Sequence, residues 1–377
     1  MQKYSKLSLI LFSITCLIVL PYIVLSIYII DPLQIWHKSF FDTNTSSYTI
    51  RESAKAFIRD NEFDSVILGN SHSENTSAKK ASEILGGKFL NLSMSGSSLD
   101  EKYILLKYLL KRKNIKQVVF LMDTQYQYLN RIKNTSSFDF LYDDNPYNDI
   151  KIYLNNKYFL CALGWQKKSK CKIRHNLNID CPYYWEDKEL YMKRFGGFNN
   201  WLIHKNDKQI SRNFNTLLRT PLSLNNDKID EEYSEKLGKY LNKYLLNIIN
   251  DNPNIKFYII ISPISDLALA HSIRDNNLLY AKKMLLLKYL TEFQSEHKNI
   301  EIYAFDNIST TSKIEDYKDL EHYKSWINYY ILNSIAQKKH GITIYNREEY
   351  AQEVYSKAKN IDYNYYINEI KNVLNKT

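Results

Sequence analysis

The uncharged run from Leu7 to Ile30, LSLILFSITCLIVLPYIVLSIYII, constrains this chain more than any other segment. Twenty-odd helical residues at about 1.5 Å each are enough to cross a bilayer core of ~30 Å. Lys3 and Lys6 precede the run, and Asp31-Pro32 ends it. A cleaved signal peptide would carry a shorter apolar region, roughly 7 to 15 residues, and a small-residue cleavage site. No A-x-A-like site follows, so a retained signal anchor is expected, with Pro21 as a kink that membrane helices tolerate. The positive-inside rule then keeps residues 1–6 in the cytoplasm and exports everything after 31.

The rest of the chain reads as a folded protein. Its mean hydropathy of -0.44 excludes a polytopic membrane protein, and its 44% hydrophobic and 14% aromatic content excludes wholesale disorder. A length of 377 residues points to one elaborated domain or two. The 51 Lys and Arg against 41 Asp and Glu leave +10, which favours anionic surfaces. The positive residues are dispersed, with only short clusters such as Lys111-Arg112-Lys113. A nucleic-acid partner is therefore not expected.

Cys16 lies inside the span, and Cys161, Cys171 and Cys181 follow at even spacing. Zinc sites pair cysteines two to four apart, so no metal is expected, and no cofactor motif is present either. One disulfide plus a thiol fits three exported cysteines, and the sequence leaves the pairing open.

Beyond the anchor, strand and helix patterns alternate with one interruption. Phe63 to Gly69 reads as a buried strand, Glu74 to Leu85 as a helix, Lys88 to Leu92 as a strand, Leu99 to Lys111 as a helix and Ile115 to Met122 as a strand. From Gln125 to about Asp230 the pattern stops, in a polar, aromatic stretch too long for a structureless loop, so a functional cap or subdomain is expected. Alternation resumes with a helix over Glu231 to Asn250, a strand over Ile255 to Ser262, a helix over Leu278 to Glu296, a strand over Ile300 to Phe305 and a helix over Tyr329 to Gln337. The segment after Asn346 reads as a surface helix. Such alternation implies an α/β fold whose mostly parallel sheet carries helices on its faces.

Sheets of this class bind ligands at the carboxyl ends of their strands. The first strand runs into Gly69-Asn70-Ser71-His72-Ser73, which places the Ser71 hydroxyl above the sheet at a strand-to-helix turn. The second runs into Asn91-Leu92-Ser93-Met94-Ser95-Gly96-Ser97-Ser98, where Gly96 lets a backbone N–H approach a substrate. After the last strand comes Asp319-Leu320-Glu321-His322. An Asp and a His three apart on one turn project together, so Asp319 can orient an imidazole that removes the Ser71 proton.

These three blocks resemble those of the SGNH/GDSL hydrolase superfamily. The resemblance is to its membrane-anchored exported branch, which includes the D-alanyl-lipoteichoic acid transfer protein and the alginate O-acetylation proteins. It covers 61–125 and about 231–345. It implies a flavodoxin-like three-layer α/β/α fold with Ser71 as nucleophile, His322 as base, Asp319 as its orienter, and Ser71 and Gly96 at the oxyanion hole. The organisation expected is a cytoplasmic tail at 1–6, the anchor at 7–30, a connector at 31–60, core halves at 61–125 and 231–345 around an insertion at 126–230, and a C-terminal helical segment at 346–377.

Two positions depart from the family pattern. Asn70 replaces an Asp beside the serine. Asp123 stands where the family places an oxyanion-hole Asn, and an ionised carboxylate cannot donate a hydrogen bond. The resulting expectation is a membrane-anchored, exported O-acyl (acetyl) transferase or esterase acting on a cell-surface polysaccharide. The resemblance further implies a membrane-bound O-acyltransferase partner to deliver acyl groups. Tyr183, Tyr184, Trp185, Phe198 and Trp201 of the insertion either stack on sugar rings or pack the subdomain. The alternative function is a noncatalytic polysaccharide-binding or assembly protein that keeps the fold.

Overall fold

The computed structural model describes residues 2–38, 40, 46–47, 50–122, 134–156, 158–165, 173–174, 180–181, 188–219, 229–274 and 278–375. The chain divides into two compact units, Met1–Glu62 with Asn134–Leu177 and Phe63–Lys133 with Asn178–Thr377. The segment 126–230 is thus shared between the two units.

In the first unit, helix α1 spans Gln2–Ile30. Its stretch Ser8–Ile30 has a hydropathy of 2.6 and is long and apolar enough to cross a membrane. Asp31, the acidic flank of that run in the sequence, turns out to be fully buried. Its carboxylate accepts the backbone N–H groups of Ile35 (2.9 Å) and Trp36 (2.8 Å) and the hydroxyl of Tyr153. The end of α1 is thereby tied to the segment after it. Helix Ile50–Asp60 presents Lys55 to the buried carboxylate of Asp149 and Glu52 to the hydroxyl of Tyr158. Cys161 is disulfide-bonded, Cys16 is a thiol, and Cys171 lies outside the described residues.

The second unit is built on six strands: β1 Ser65–Leu68, β2 Phe89–Asn91, β3 Gln117–Met122, β4 Lys256–Ile261, β5 Ile300–Ala304 and β6 Gly341–Ile342. They pair in the order β2-β1-β3-β4-β5-β6, all parallel except β6, which runs antiparallel to β5. The protein is therefore α/β with a mostly parallel sheet. β6 is too short to show an alternating pattern, and for that reason the sequence did not betray it.

Both faces of the central strands are covered, which is why they read as unbroken apolar runs. Ile67, Val119, Leu121, Ile260 and Tyr303 share one face, under helices α2 (Ala78–Leu85) and α4 (Ser325–Ala336). On the other, Val66, Val118, Phe120, Phe257, Ile259 and Ile302 are fully buried. Helix α3 (Leu99–Leu110) starts in a capping box, with the Glu101 carboxylate accepting the Ser98 N–H at 2.8 Å.

Several boundaries move. α2 begins at Ala78 rather than Glu74, because the amide of Asn91 binds the carbonyls of Ser73 and Thr76 (both 2.8 Å), holding residues 71–76 in turns. α4 begins at Ser325, ahead of Tyr329. The helix expected over Glu231 to Asn250 contains a π-helical stretch at Asn242–Leu246. The C-terminal segment forms two helices, Arg347–Lys359 and Tyr363–Asn375. They bury Tyr350, Val354, Ile367 and Ile370, so this is a packed part of the unit and more than a surface helix.

Candidate active site

Ser71, Gly96, Asp319 and His322 all belong to the second unit. β1 ends at Leu68 and the chain turns at once. Gly69 has to be glycine, since a Cβ there would lie 2.0 Å from the Ser73 hydroxyl and 2.9 Å from the Leu121 Cβ. Asn70 then shapes the turn, its side-chain oxygen accepting the His72 N–H (3.0 Å) and its carbonyl accepting the Ser73 N–H (3.2 Å). This is Asx-turn geometry, and it leaves Ser71 at the apex, part-buried. Among the described residues, no acceptor takes the Ser71 backbone N–H.

The loop after β2 is fastened to the same turn. The Gly69 carbonyl accepts the Met94 N–H at 2.9 Å and the Ser97 hydroxyl at 3.0 Å. Gly96 is the third residue of a turn closed by the Ser97 N–H on the Met94 carbonyl (3.0 Å), and its φ of 57° is the positive value that position favours. β3 ends at Met122, and Asp123 lies outside the described residues.

Asp319 and His322 do come together, though not on a helical turn as their spacing suggests. Tyr317 and Tyr323 form an antiparallel bridge, and the Lys318 N–H donates to the His322 carbonyl (3.0 Å), so the five residues from Lys318 to His322 make a tight loop. The Asp319 carboxylate accepts the N–H groups of Glu321 (3.0 Å) and His322 (2.8 Å). Both its oxygens also lie 2.9 Å from Nδ1 of His322. On the other side of the ring, Nε2 lies 2.8 Å from the Ser71 Oγ. Those partners select a tautomer: Nδ1 donates to the carboxylate, and Nε2 is left to accept from the hydroxyl.

Burial pushes the Asp319 carboxyl up, but the charges of His322 and Lys318 and the hydrogen bonds it accepts outweigh that and hold it well below its ordinary 3.8. Lys318 is itself buried, with Nζ 3.2 Å from Asp319 Oδ2.

Two further residues belong to the arrangement and carry no sequence signal of their own. His72 is buried, its ring 4.8 Å from that of His322 and stacked on Tyr323 at 5.6 Å. Desolvation, reinforced by the charge of His322, holds it well below its ordinary 6.5, so it stays neutral. Neither of its ring nitrogens finds a partner among the described residues. Asn328, from α4, donates to the His72 carbonyl (3.1 Å) and to the Asn75 side chain (2.8 Å), and accepts from the Tyr323 hydroxyl (3.3 Å). It fastens the serine turn to the histidine loop.

The insertion aromatics divide. Phe198 and Trp201 are 6% and 0% exposed, inside a cluster with Phe214 and Ile367. They pack the unit and cannot stack on a sugar. Tyr183, Tyr184 and Trp185 lie outside the described residues. Among the described residues, no group of His, Cys, Asp and Glu could hold a metal ion. Cys181 is a buried thiol. Comparison with protein-family models, with curated proteins and with solved structures found no match to this chain.

Proposed function

We propose that the protein is a membrane-anchored, exported SGNH/GDSL-like enzyme, an O-acyl transferase or esterase acting on a cell-surface polysaccharide through Ser71, His322 and Asp319. One observation carries the reading: an unbroken hydrogen-bond relay from Ser71 Oγ to His322 Nε2 (2.8 Å) and from His322 Nδ1 to the Asp319 carboxylate (2.9 Å). A hydroxyl, an imidazole and a buried ionised carboxylate in that order are what serine nucleophiles require, on whatever fold they occur. The strand order 2-1-3-4-5 supports it too, being that of flavodoxin-like sheets. In that order Ser71 follows β1, at the switch point where ligands bind.

In the proposed reaction, His322 Nε2 takes the Ser71 proton as Oγ attacks the acyl carbonyl carbon. The Asp319 carboxylate stabilises the imidazolium. Nε2 then returns the proton to the leaving oxygen, and the acyl group stays on Ser71 as an ester. An acceptor hydroxyl, from a sugar in transfer or from water in hydrolysis, loses its proton to Nε2 and attacks that ester, and Nε2 passes the proton to the departing Ser71 Oγ. The Ser71 N–H, with that of Gly96, is the proposed donor set for the oxyanion. The apolar Ser8–Ile30 stretch, preceded by Lys3 and Lys6, supports an anchor with a cytoplasmic N-terminus. An exported site has no access to cytoplasmic acyl donors, so a membrane-bound O-acyltransferase partner completes the proposal.

The test is to incubate the protein with an activated acyl ester and map the adduct by mass spectrometry. The reading requires an adduct at Ser71 that is lost in Ser71→Ala. An adduct undiminished in that variant removes the proposed nucleophile.

A further inference from the structure

We propose that the corner formed by Leu160 and Trp165 is a bilayer-contact surface, seated where acyl chains meet lipid headgroups beside the C-terminal end of α1. The inference rests on the reading of α1 as a membrane span and adds a second point of attachment to it.

The corner is built by a helix stop. The short helix Phe159–Ala162 ends at Gly164, whose φ is 70°. The Gly164 N–H donates to the Cys161 carbonyl (3.1 Å) and the Trp165 N–H to the Leu160 carbonyl (3.0 Å), the two bonds of a Schellman motif. This motif brings the residue after the glycine back toward the third residue from the helix end, and the apolar pair so formed is usually covered. Here it is open: Leu160 is 46% and Trp165 62% exposed, while Cys161, Ala162 and Leu163 between them are buried. Cys161, within the turn, is disulfide-bonded.

The position of the corner identifies its occupant. Helix Phe159–Ala162 packs against α1, and a Cβ on Gly164 would lie 3.1 Å from Cδ1 of Ile30. Ile27 is fully buried there, whereas Val24, Leu25 and Tyr28 of the same turns stay exposed. The run from Leu7 to Ile30 is ~36 Å long at about 1.5 Å per residue, more than the ~30 Å of hydrocarbon, so its last turn lies near the interface. An exposed indole at that level meets the zone where tryptophan is favoured, its ring among acyl chains and its N–H toward headgroups. Single exposed apolar residues are ordinary on protein surfaces. A leucine and a tryptophan joined in one rigid turn, at the rim of a span, fit a phospholipid bilayer.

The experiment uses the full chain reconstituted into phosphatidylcholine vesicles, with and without bromine on the acyl chains, and compares tryptophan quenching in the wild type and in Trp165→Phe. A bromine-quenched component that is lost in Trp165→Phe is the expected result. Equal quenching in the two proteins overturns the corner. Alkaline carbonate extraction reads the span separately: a protein that stays in the vesicles but shows no Trp165 component refutes the corner alone, and one that is released refutes the span and the corner with it.

Discussion

The Oγ of Ser71 lies 2.8 Å from Nε2 of His322, although 251 residues separate them in the chain. The hydroxyl sits on the turn that follows β1, and the imidazole on a loop that follows β5. Their meeting depends on Asp319, whose oxygens hold Nδ1 of the same ring at 2.9 Å. Replacing Asp319 by Asn offers an amide donor to Nδ1, which drives the ring proton to Nε2 and removes the base facing Ser71. Asp319→Asn is expected to slow acylation of Ser71 by roughly 10⁴-fold. Its melting temperature at neutral pH should fall as well, because the negative charge beside buried Lys318 is lost, although the remaining side-chain oxygen still accepts the Glu321 and His322 N–H groups. Stopped-flow acylation by an activated ester, set beside a melting curve, separates the two effects.

Asn328 donates to the His72 carbonyl and to the Asn75 side chain, bridging the serine turn and the histidine loop. Asn328→Asp keeps the shape and replaces both donors by an acceptor facing two oxygens. A buried polar group left without its partner costs about 1–3 kcal/mol, so a loss of that size is expected in urea denaturation. The acylation rate should fall as well, since the turn carrying Ser71 loses its tie to α4. An unchanged rate in a variant destabilised by that amount would show that the bridge serves stability alone.

His72 stays neutral in the folded protein, its pKa lowered well below 6.5 by desolvation and by the charge of His322. The unfolded chain takes up a proton there below about pH 6.5 and the folded one does not, so stability falls as pH drops through that value. The slope from one proton is at most about 1.4 kcal/mol per pH unit. His72→Phe removes this term, and its stability should decline less between pH 7 and pH 5 than that of the wild type. Asp319 acts lower on the scale. Its folded pKa is depressed, so its contribution is full above about pH 4 and is lost as pH falls through the folded value. Denaturant midpoints taken across the pH range read both steps.

Gly69 leaves no room for a side chain, with the Ser73 hydroxyl 2.0 Å and the Leu121 Cβ 2.9 Å from where a Cβ would sit. Gly69→Ala is expected to destabilise the second unit by about 1–3 kcal/mol, as overpacking does. It should also slow acylation, because the Gly69 carbonyl anchors the loop of Gly96 through Met94 and Ser97. Melting temperature and acylation rate measured on the same preparation test the pair of effects. A variant with wild-type values for both would mean that the turn relaxes freely.

Much of the core was legible because its signals are local. Buried parallel strands such as Val118 to Met122 are continuous apolar runs, α3 follows directly on the block containing Gly96, and glycine marks the turns at Gly69 and Gly96. Helix boundaries were less legible wherever a distant side chain competes for backbone groups, as Asn91 does for the carbonyls of Ser73 and Thr76. The three-residue spacing of Asp319 and His322 pointed to the right pair through the wrong geometry: a bridge between Tyr317 and Tyr323 makes a tight loop where a helical turn was expected.

By itself, the sequence determined the long apolar helix, the alternation that builds a mostly parallel sheet, and the short blocks that hold Ser71, Gly96, Asp319 and His322, since each depends on neighbours a few positions away. Only the tertiary structure decided that Asp31 is a buried acceptor, that Phe198 and Trp201 belong to a core, that His72 is a neutral backstop for His322, and that Asn328 joins two loops. Those outcomes depend on burial and on partners tens to hundreds of residues away. Desolvation and hydrogen-bond geometry come into being when the chain closes on itself, and no local pattern encodes them.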